Sequence, residues 1–298
     1  ENYMSPTVLE FTLVQAVSST LLTLIISLPI AWSLGRHRWP FESLIRTLLT
    51  LPFVIPSIIA AMGILTIVGP YGLDIRTNEN TWWWTLIISH AWFNMALIIR
   101  FCEPLLSKLD PALEEQLRLL PHGRTRASRL KNLWVPLLLP SVVAAACMTF
   151  VFSFTSFALV RWITVRVNTL ESVMAEVSSS AGIQGYMEPT SDIVMGASLI
   201  QFTILLTSLW LTSVIQRDRK AILPQARPEH VRKPNSRGWL VIVPALIFAV
   251  LPLISVVIGS FRIRDLGESS GGFRWGTDGW NQACLLYTSD AADELRSV

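Results

Sequence analysis

The sequence predicts an all-α protein with about six transmembrane helices. Of its 298 residues, 51% are apolar and only 15% are charged, and the mean hydropathy is +0.48. A soluble domain with this composition would expose a large hydrocarbon surface to water. Helices are expected because an open sheet edge leaves backbone groups unsatisfied in lipid. Six apolar stretches have about the 20 residues that cross a bilayer core, at 11–34, 44–68, 83–101, 136–160, 193–215 and 238–260.

Prolines inside these stretches predict bent helices. Each proline removes one backbone hydrogen bond, which neighbouring groups must replace. Bent helices leave room for a cavity, although ordinary helix packing is the alternative for any single proline. The prolines concerned are Pro29, Pro52, Pro56, Pro140, Pro244 and Pro252.

The basic residues predict the orientation in the membrane. One set of loops (35–46, 100–135 and 216–237) holds 17 of the 24 Lys and Arg residues. The opposite set (1–10, 69–82, 161–191 and 261–283) holds 6. The positive-inside rule places the first set in the cytoplasm and the start of the chain outside. The net charge of +3 comes from these loops, so nucleic acid binding has no separate support.

Several function classes have no support in the sequence. Apart from edge residues such as Arg46 and Arg100, the apolar stretches contain no Asp, Glu, Lys or Arg, whereas ion-coupled carriers usually place such groups near the midplane. No Gly-x-x-x-x-Gly-Lys-Ser/Thr loop is present, so ATP hydrolysis is expected in a separate chain and this chain is not expected to be an enzyme. No cofactor or metal site is expected. An ion-coupled carrier or channel and a membrane scaffold remain the alternatives.

The basic loop 109–136 predicts a short amphipathic helix. Asp110 suits the N-cap, Pro111 suits the first helical position, and Glu114 and Glu115 lie near the positive helix end. The helix carries one apolar stripe, formed by Leu113, Leu117 and Leu120.

The second half of the loop predicts a turn and a return to the membrane. Pro121 should end the first helix and Gly123 should permit the turn. A second, basic helix then leads through Leu133 and Trp134 into the next apolar stretch. The first helix would dock on a partner or, alternatively, lie flat on the lipid headgroups.

The spacing from Gly123 to Leu133-Trp134-Val135-Pro136 resembles the Glu-Ala-Ala loop of binding-protein-dependent ABC importer permeases. In that family, nine residues separate the glycine from Ile-x-Leu-Pro. Counting back from Gly123 aligns Leu117-Arg118-Leu119 with Glu-Ala-Ala, whereas the Pro-x-x-Glu-Glu opening points to Glu115-Gln116-Leu117. A two-residue insertion around Pro121-His122 reconciles the two registers.

The resemblance implies a type I ABC importer permease core of five helices over residues 8–217, in a bacterial inner membrane. It implies four associations: a cytoplasmic ABC ATPase dimer, an external or periplasmic substrate-binding protein, a second permease core and the lipid bilayer. The loop 109–136 would contact the ATPase. Its implied contact residues are Glu114, Glu115, Leu117, Leu120, Gly123, Leu133 and Pro136.

Within the family, the chain resembles the fused two-core permeases for thiamine and iron(III). Phe154-Thr155-Ser156-Phe157-Ala158 is similar to the Ser-Phe-Ala of thiamine-type permeases, where iron-type permeases tend to show Asp-Phe-Gly. Aromatic and hydroxyl groups suit an organic cation, although the more common reason for such residues is a packed aromatic face. The candidate pathway residues are His90, Asn94, Ser153, Phe154, Ser156 and Phe157.

The remaining segments are expected to differ from the core. Residues 218–237 form a polar cytoplasmic linker, and residues 238–283 hold a helix and the start of a truncated second core. Residues 284–298 resemble translated sequencing adapter and are excluded from fold reasoning. The first core lacks an introducing helix, so a fragment cut at both ends is expected.

Overall fold

The computed structural model describes residues 6–69, 72–73, 79–108, 111–120, 123, 125–164, 167–176, 188–217, 234–264 and 273–284. Its helices are α1 (Pro6–Arg36), α2 (Glu42–Val54), α3 (Ser57–Val68), α4 (Glu79–Lys108), α5 (Pro111–Leu119), α6 (Arg126–Arg129), α7 (Val135–Phe154), α8 (Ala158–Ile163), α9 (170–176), α10 (Glu188–Arg217), α11 (Ser236–Gly259) and α12 (278–284). A π-helical segment, Leu130–Trp134, joins α6 to α7. Two short antiparallel strands, β1 (Arg262–Arg264) and β2 (Phe273–Trp275), follow α11.

Five helical segments among these residues are long and apolar enough to cross a membrane. They are Val8–Arg36, Thr81–Lys108, Arg126–Phe154, Val194–Val214 and Ser236–Gly259. The pair α2 and α3 passes the same test together, which makes six. The predicted all-α polytopic fold is confirmed, with the small β1–β2 pair as an addition that the apolar pattern did not predict.

The stretch predicted as one span over 44–68 is instead two helices bent by 100°. Ile55 and Pro56 adopt extended backbone conformations between α2 and α3, with ψ values of 140° and 133°. Proline disfavours a helical conformation in the residue before it and lacks an N–H group, so Pro56 ends α2. Pro52, by contrast, lies inside α2 without ending it.

The fourth predicted span, 136–160, is shifted toward the N-terminus. Helical structure runs from Arg126 to Phe154, and Thr155 then leaves it with φ −91° and ψ 14°. Helix α8 begins only at Ala158. The Phe154–Ala158 motif therefore lies at a helix break and not within a helix.

Among the described residues, three apolar clusters hold the helices together. The largest joins α1, α2, α4, α7 and α11 and includes Leu34, Leu49, Ile98 and Ile242. A second joins α3, α4 and α8, and a third joins α1, α7, α9 and α10. Helix α4 is central and α10 peripheral, since 72% of the most apolar part of α4 is buried but only 6% of that of α10.

The ends of several helices gather at one end of the bundle. The rings of Trp39 and Trp239 lie 4.9 Å apart, which brings the α1–α2 turn to the start of α11. Arg36, the last residue of α1, lies over Trp134 at the start of α7. We call this the loop end, because α5 also lies there. Of the predicted linker 218–237 only residues 234–237 are described, and the predicted tail lies outside the described residues apart from Cys284.

Candidate functional site: the loop helix and a buried polar seam

The loop helix α5 begins at Pro111 and has Glu114 in its first turn. Its C-terminal turn tightens: the Leu120 N–H donates to the Leu117 carbonyl at 3.1 Å, and the Gly123 N–H donates to the Leu120 carbonyl at 3.0 Å. Hydrogen bonds between residues three apart, as in a 3₁₀-helix, are common where an α-helix ends. The predicted N-cap Asp110, the predicted helix stop Pro121 and the side chain of Leu113 lie outside what the structure describes.

Glu114 is the centre of an ion-pair network at the loop end. Its Oε2 accepts a hydrogen bond from Arg36 Nη2 at 2.9 Å, and its Oε1 accepts one from Arg118 Nη2 at 3.1 Å. Arg129 Nε lies 3.7 Å from the same Oε1. The Arg36 and Glu114 side chains are only 10% and 14% exposed, so water screens their attraction less than at a surface. Glu115, the carboxylate favoured by the family-like opening, is exposed.

The network extends to aromatic rings at the start of α7. The Arg36 guanidinium carbon lies 4.8 Å from the centre of the Trp134 ring, and Trp134 packs edge-on against Trp32 at 4.5 Å. An arginine stacked on a ring keeps its planar donors aimed in one direction. Arg36 and Arg129 were not among the predicted site residues. A basic residue at the end of α1 was visible in the sequence, but its partner lies 78 positions away.

Gly123 is a close-packing position. Its φ lies outside the left-handed region, and a Cβ there would overlap the carbonyl oxygen of Leu117 and approach the Leu117 Cγ at 2.7 Å. We expected a glycine at this turn because of its backbone freedom, and that reason is wrong. The glycine is required because α5 folds back over it. Arg129 Nη1 donates to the Gly123 carbonyl at 3.0 Å and fixes this turn.

The apolar residues of the loop divide into an inner and an outer set. Leu117 is partly buried against Gly123 within the loop itself. Leu119 is 87% exposed and Leu120 is 55% exposed. Leu133 and Pro136 are partly buried where the chain enters α7. Among the described side chains of α5 and the residue that follows it, Leu119 and Leu120 form the outward apolar surface. The sequence pattern selected only Leu120.

A seam of buried polar side chains runs between α1, α4 and α7. Gln15 Nε2 donates to the Ser153 carbonyl at 2.8 Å, and Asn94 Nδ2 donates to Ser153 Oγ at 3.2 Å. Ser19 Oγ lies 3.3 Å from His90 Nδ1. We define the polar seam as these five residues together with Thr149, one turn before Ser153 on α7; all six are at most 1% exposed.

The polar seam is incompletely hydrogen-bonded. Four of its buried atoms have no partner among the described residues: Gln15 Oε1, His90 Nε2, Asn94 Oδ1 and Thr149 Oγ1. Leaving one such group unpaired costs about 1–3 kcal/mol. The structure brings together His90, Asn94 and Ser153 from the predicted pathway set. It adds Gln15, Ser19 and Thr149, which were not among the predicted pathway residues.

The other predicted pathway residues lie elsewhere. Phe154 is buried, stacks on Phe150 at 5.8 Å and belongs to the core cluster with Ala16 and Leu170. Ser156 is partly exposed in the break after α7, and Phe157 is 41% exposed at the start of α8. The aromatic motif therefore does not form one surface with the polar seam.

The comparisons with known proteins agree on one family. The model of the family described as binding-protein-dependent transport system inner membrane component matches residues 27–265. The sulfate transport system permease protein CysT of Salmonella typhimurium is 24% identical over 208 residues, covering 67% of this chain and 73% of the relative. The thiamine transport system permease protein ThiP of Brucella abortus is 25% identical over 281 residues, covering 88% and 50%. The molybdenum transport system permease protein ModB of Haemophilus influenzae is 26% identical over 226 residues, covering 72% and 96%.

The chain belongs to the family of binding-protein-dependent transport system inner membrane components, because the family model covers most of it. It is a multi-pass inner-membrane permease subunit of an ABC importer, and it is a transport subunit and not an enzyme. The chain spans about half the length of the thiamine permease relatives and most of the length of the sulfate and molybdenum relatives.

Proposed function

We propose that α5 is the coupling helix of this permease and that it docks in an apolar groove of a cytoplasmic ABC ATPase dimer. The observation that carries the proposal is the exposed pair Leu119 and Leu120 on a helix whose opposite side is held by Glu114. Exposed leucines on a short, fixed helix are suited to a groove on a partner. ATP binding to the ATPase would then bias which of two permease conformations is populated.

This function requires the loop end to face the cytoplasm. The division of Lys and Arg between the two sets of loops supports that orientation, with the start of the chain outside. The structure supports the grouping of the loops, since Arg36, Arg46 and the start of α7 lie at the same end of the bundle. Of the predicted residues, Leu120 lies on the proposed coupling surface, and Glu114 and Gly123 hold α5 in place from its inner side.

The pathway itself is proposed to need a second permease core, supplied by a further half of the chain or by a second copy. Only 6% of the most apolar part of α10 is buried, which leaves a large apolar face for lipid or for that core. An external or periplasmic binding protein would deliver the solute. The polar seam would supply hydrogen-bonding groups beside the pathway, because four of its atoms have no hydrogen-bond partner among the described residues.

For the solute we propose thiamine as the first candidate. The thiamine permease relative is similar over 88% of this chain, through the linker and α11, whereas the sulfate relative covers 67%. The Ser156-Phe157-Ala158 motif points the same way. Sulfate and an oxyanion of molybdenum are the second candidates, since a sulfate and a molybdenum transport permease are similar at about the same identity. Iron(III) remains the alternative from the sequence motif. ATP-dependent uptake of each labelled solute into proteoliposomes distinguishes them.

The docking proposal is tested by placing a carboxylate at the outward leucines. Leu120→Asp and Leu119→Asp would bury an unpaired charge in the ATPase groove, which costs several kcal/mol. Both variants should insert at normal levels yet lose co-purification of the ATPase and ATP-dependent uptake.

The matched control is Leu73→Asp. Leu73 is 68% exposed and follows α3, whose Thr66 lies beside Gly259 at the end of α11 remote from the loop end. This variant should keep the ATPase bound. Unchanged co-purification in Leu119→Asp and Leu120→Asp would show that α5 is a solvated or headgroup-lying helix.

A further inference from the structure

We propose that Arg36 is the positioning residue through which α5 moves α1, so that ATPase docking is transmitted to the polar seam. This inference rests on the proposed function of α5. Arg36 Nη2 bonds Glu114 Oε2 at 2.9 Å, and both side chains are nearly buried. The pair joins the loop helix to a helix 78 residues earlier in the chain.

Of the Glu114 ion pairs among the described residues, only that with Arg36 connects α5 to a distant element. Arg118 lies one turn along α5 itself and is 43% exposed. Arg129 lies on α6, directly after the Gly123 turn, and its Nε is 3.7 Å away. These two contacts hold the loop in shape. A displacement of α5 relative to the bundle must therefore act on Arg36 or break the Arg36–Glu114 bond.

The end of α1 is built to take up such a displacement. The Arg36 guanidinium is held between the Glu114 carboxylate and the Trp134 ring, so it cannot swing aside freely. One helical turn away, the Trp32 ring contacts the same Trp134 ring. A pull on Arg36 thus moves the end of α1 together with the π-helical segment that opens α7.

Helix α1 also carries two residues of the polar seam, Gln15 and Ser19. Ser19 lies 17 residues before Arg36 in the same helix, which is about 26 Å along the axis. Helix α1 is one uninterrupted helix from Pro6 to Arg36, although Pro29 lacks the N–H group for one of its backbone hydrogen bonds. A displacement of Arg36 is therefore passed along the helix toward Ser19. Movement of α1 against α4 and α7 changes the contacts of Gln15 and Ser19 with Ser153 and His90. The unpaired seam atoms give these contacts an alternative set of partners.

The test uses the complete importer: this permease with its second core, its ATPase and its binding protein in proteoliposomes. Arg36→Gln removes the charge but keeps a polar side chain. It should retain ATPase co-purification and basal ATP hydrolysis. Stimulation of hydrolysis by the solute-loaded binding protein, and solute uptake, should each fall about tenfold, which corresponds to about 1.4 kcal/mol. Glu114→Gln removes the same ion pair from the other side, together with the pairs to Arg118 and Arg129, and should lower stimulated hydrolysis and uptake at least as far.

Two further variants separate a positioning role from a structural one. Arg36→Lys keeps the charge and should recover at least half of the stimulated hydrolysis. Arg38→Gln is the matched control: Arg38 is exposed, two residues away, and has no ion pair among the described residues. It should couple normally.

Normal stimulation and uptake in Arg36→Gln with the ATPase bound would overturn the inference and leave the docking of α5 intact. Equal loss of basal and stimulated hydrolysis in Arg36→Gln, Glu114→Gln and Arg36→Lys would also overturn it, since a merely structural pair predicts that pattern. If Arg36→Gln does not accumulate, uncoupling in Glu114→Gln supports the inference and normal coupling there contradicts it. Failure of the unmodified chain to bind any ATPase would instead contradict the proposed function.

Discussion

Glu114 holds the loop 109–136 in place through ion pairs that the loop sequence alone does not predict. It stands among several charged residues of the loop, and the family-like opening directs attention to Glu115. Three arginines from three elements converge on Glu114, while Glu115 is exposed. The loop sequence predicts that a carboxylate near the start of α5 stabilises the helix. It could not show which carboxylate faces α1, because that depends on how α1 and α5 pack.

Gly123 allows a residue-scale prediction. Gly123→Val would drive a branched side chain into the Leu117 carbonyl and side chain, so the α5–α6 turn should open and α5 should lose its orientation. The variant should reach the membrane at normal levels and lose ATPase co-purification. Leu117→Asp should act in the same way, since Leu117 packs on this glycine.

The control for the glycine variant is Gly279→Val, because a Cβ at Gly279 meets nothing within 4 Å. Retained ATPase binding in Gly123→Val would mean that the turn is not required for docking.

Among the secondary-structure elements, the long helices were predictable from the sequence, whereas the exact positions and angles of their breaks were not. The continuous apolar composition of α1, α4 and α11 predicts a helix by length alone. Pro56 predicts a bend after α2, but the angle of 100° depends on where α3 finds its partners in α8 and α11. The helix end at Phe154 had no sequence signal, because residues 155–160 are as apolar as a span. The polar seam was half predictable: His90 and Asn94 stand out in an apolar helix, whereas Gln15 and Thr149 do so less.

The approach of α3 to α11 makes an element-scale prediction. A Cβ on Gly63 would lie 2.5 Å from the Pro252 carbonyl oxygen and 2.7 Å from Val256 Cγ2. The backbone contact cannot yield by a change of rotamer, so Gly63→Val should force the helices apart. We expect a loss of about 1–3 kcal/mol in stability, measured as a lower thermal unfolding temperature in detergent.

Gly279→Val again serves as the control, with an unfolding temperature equal to that of the unmodified chain. An unaltered unfolding temperature for Gly63→Val would mean that α11 does not pack closely on α3.

For the whole molecule, the orientation in the membrane is open to a direct test. In a cysteine-free background, Arg126→Cys should be protected from an impermeant thiol reagent in intact cells, and Leu73→Cys should react. We expect this labelling pattern because the loops at the end of the bundle that carries α5 hold most of the Lys and Arg residues, which places that end in the cytoplasm. The reverse pattern of labelling would invert the topology and place α5 out of reach of a cytoplasmic ATPase.

Contact between α5 and an ATPase is the central claim at this scale, and photo-crosslinking tests it most directly. A photoreactive side chain placed at Leu119 or Leu120 in the assembled importer should crosslink to the ATPase subunit. The same group at Leu21, which is 56% exposed on α1 within a membrane span, should not. Crosslinks from both loop positions to the ATPase, and none from Leu21, are the predicted result; absence of any ATPase crosslink from Leu119 and Leu120 would contradict the account.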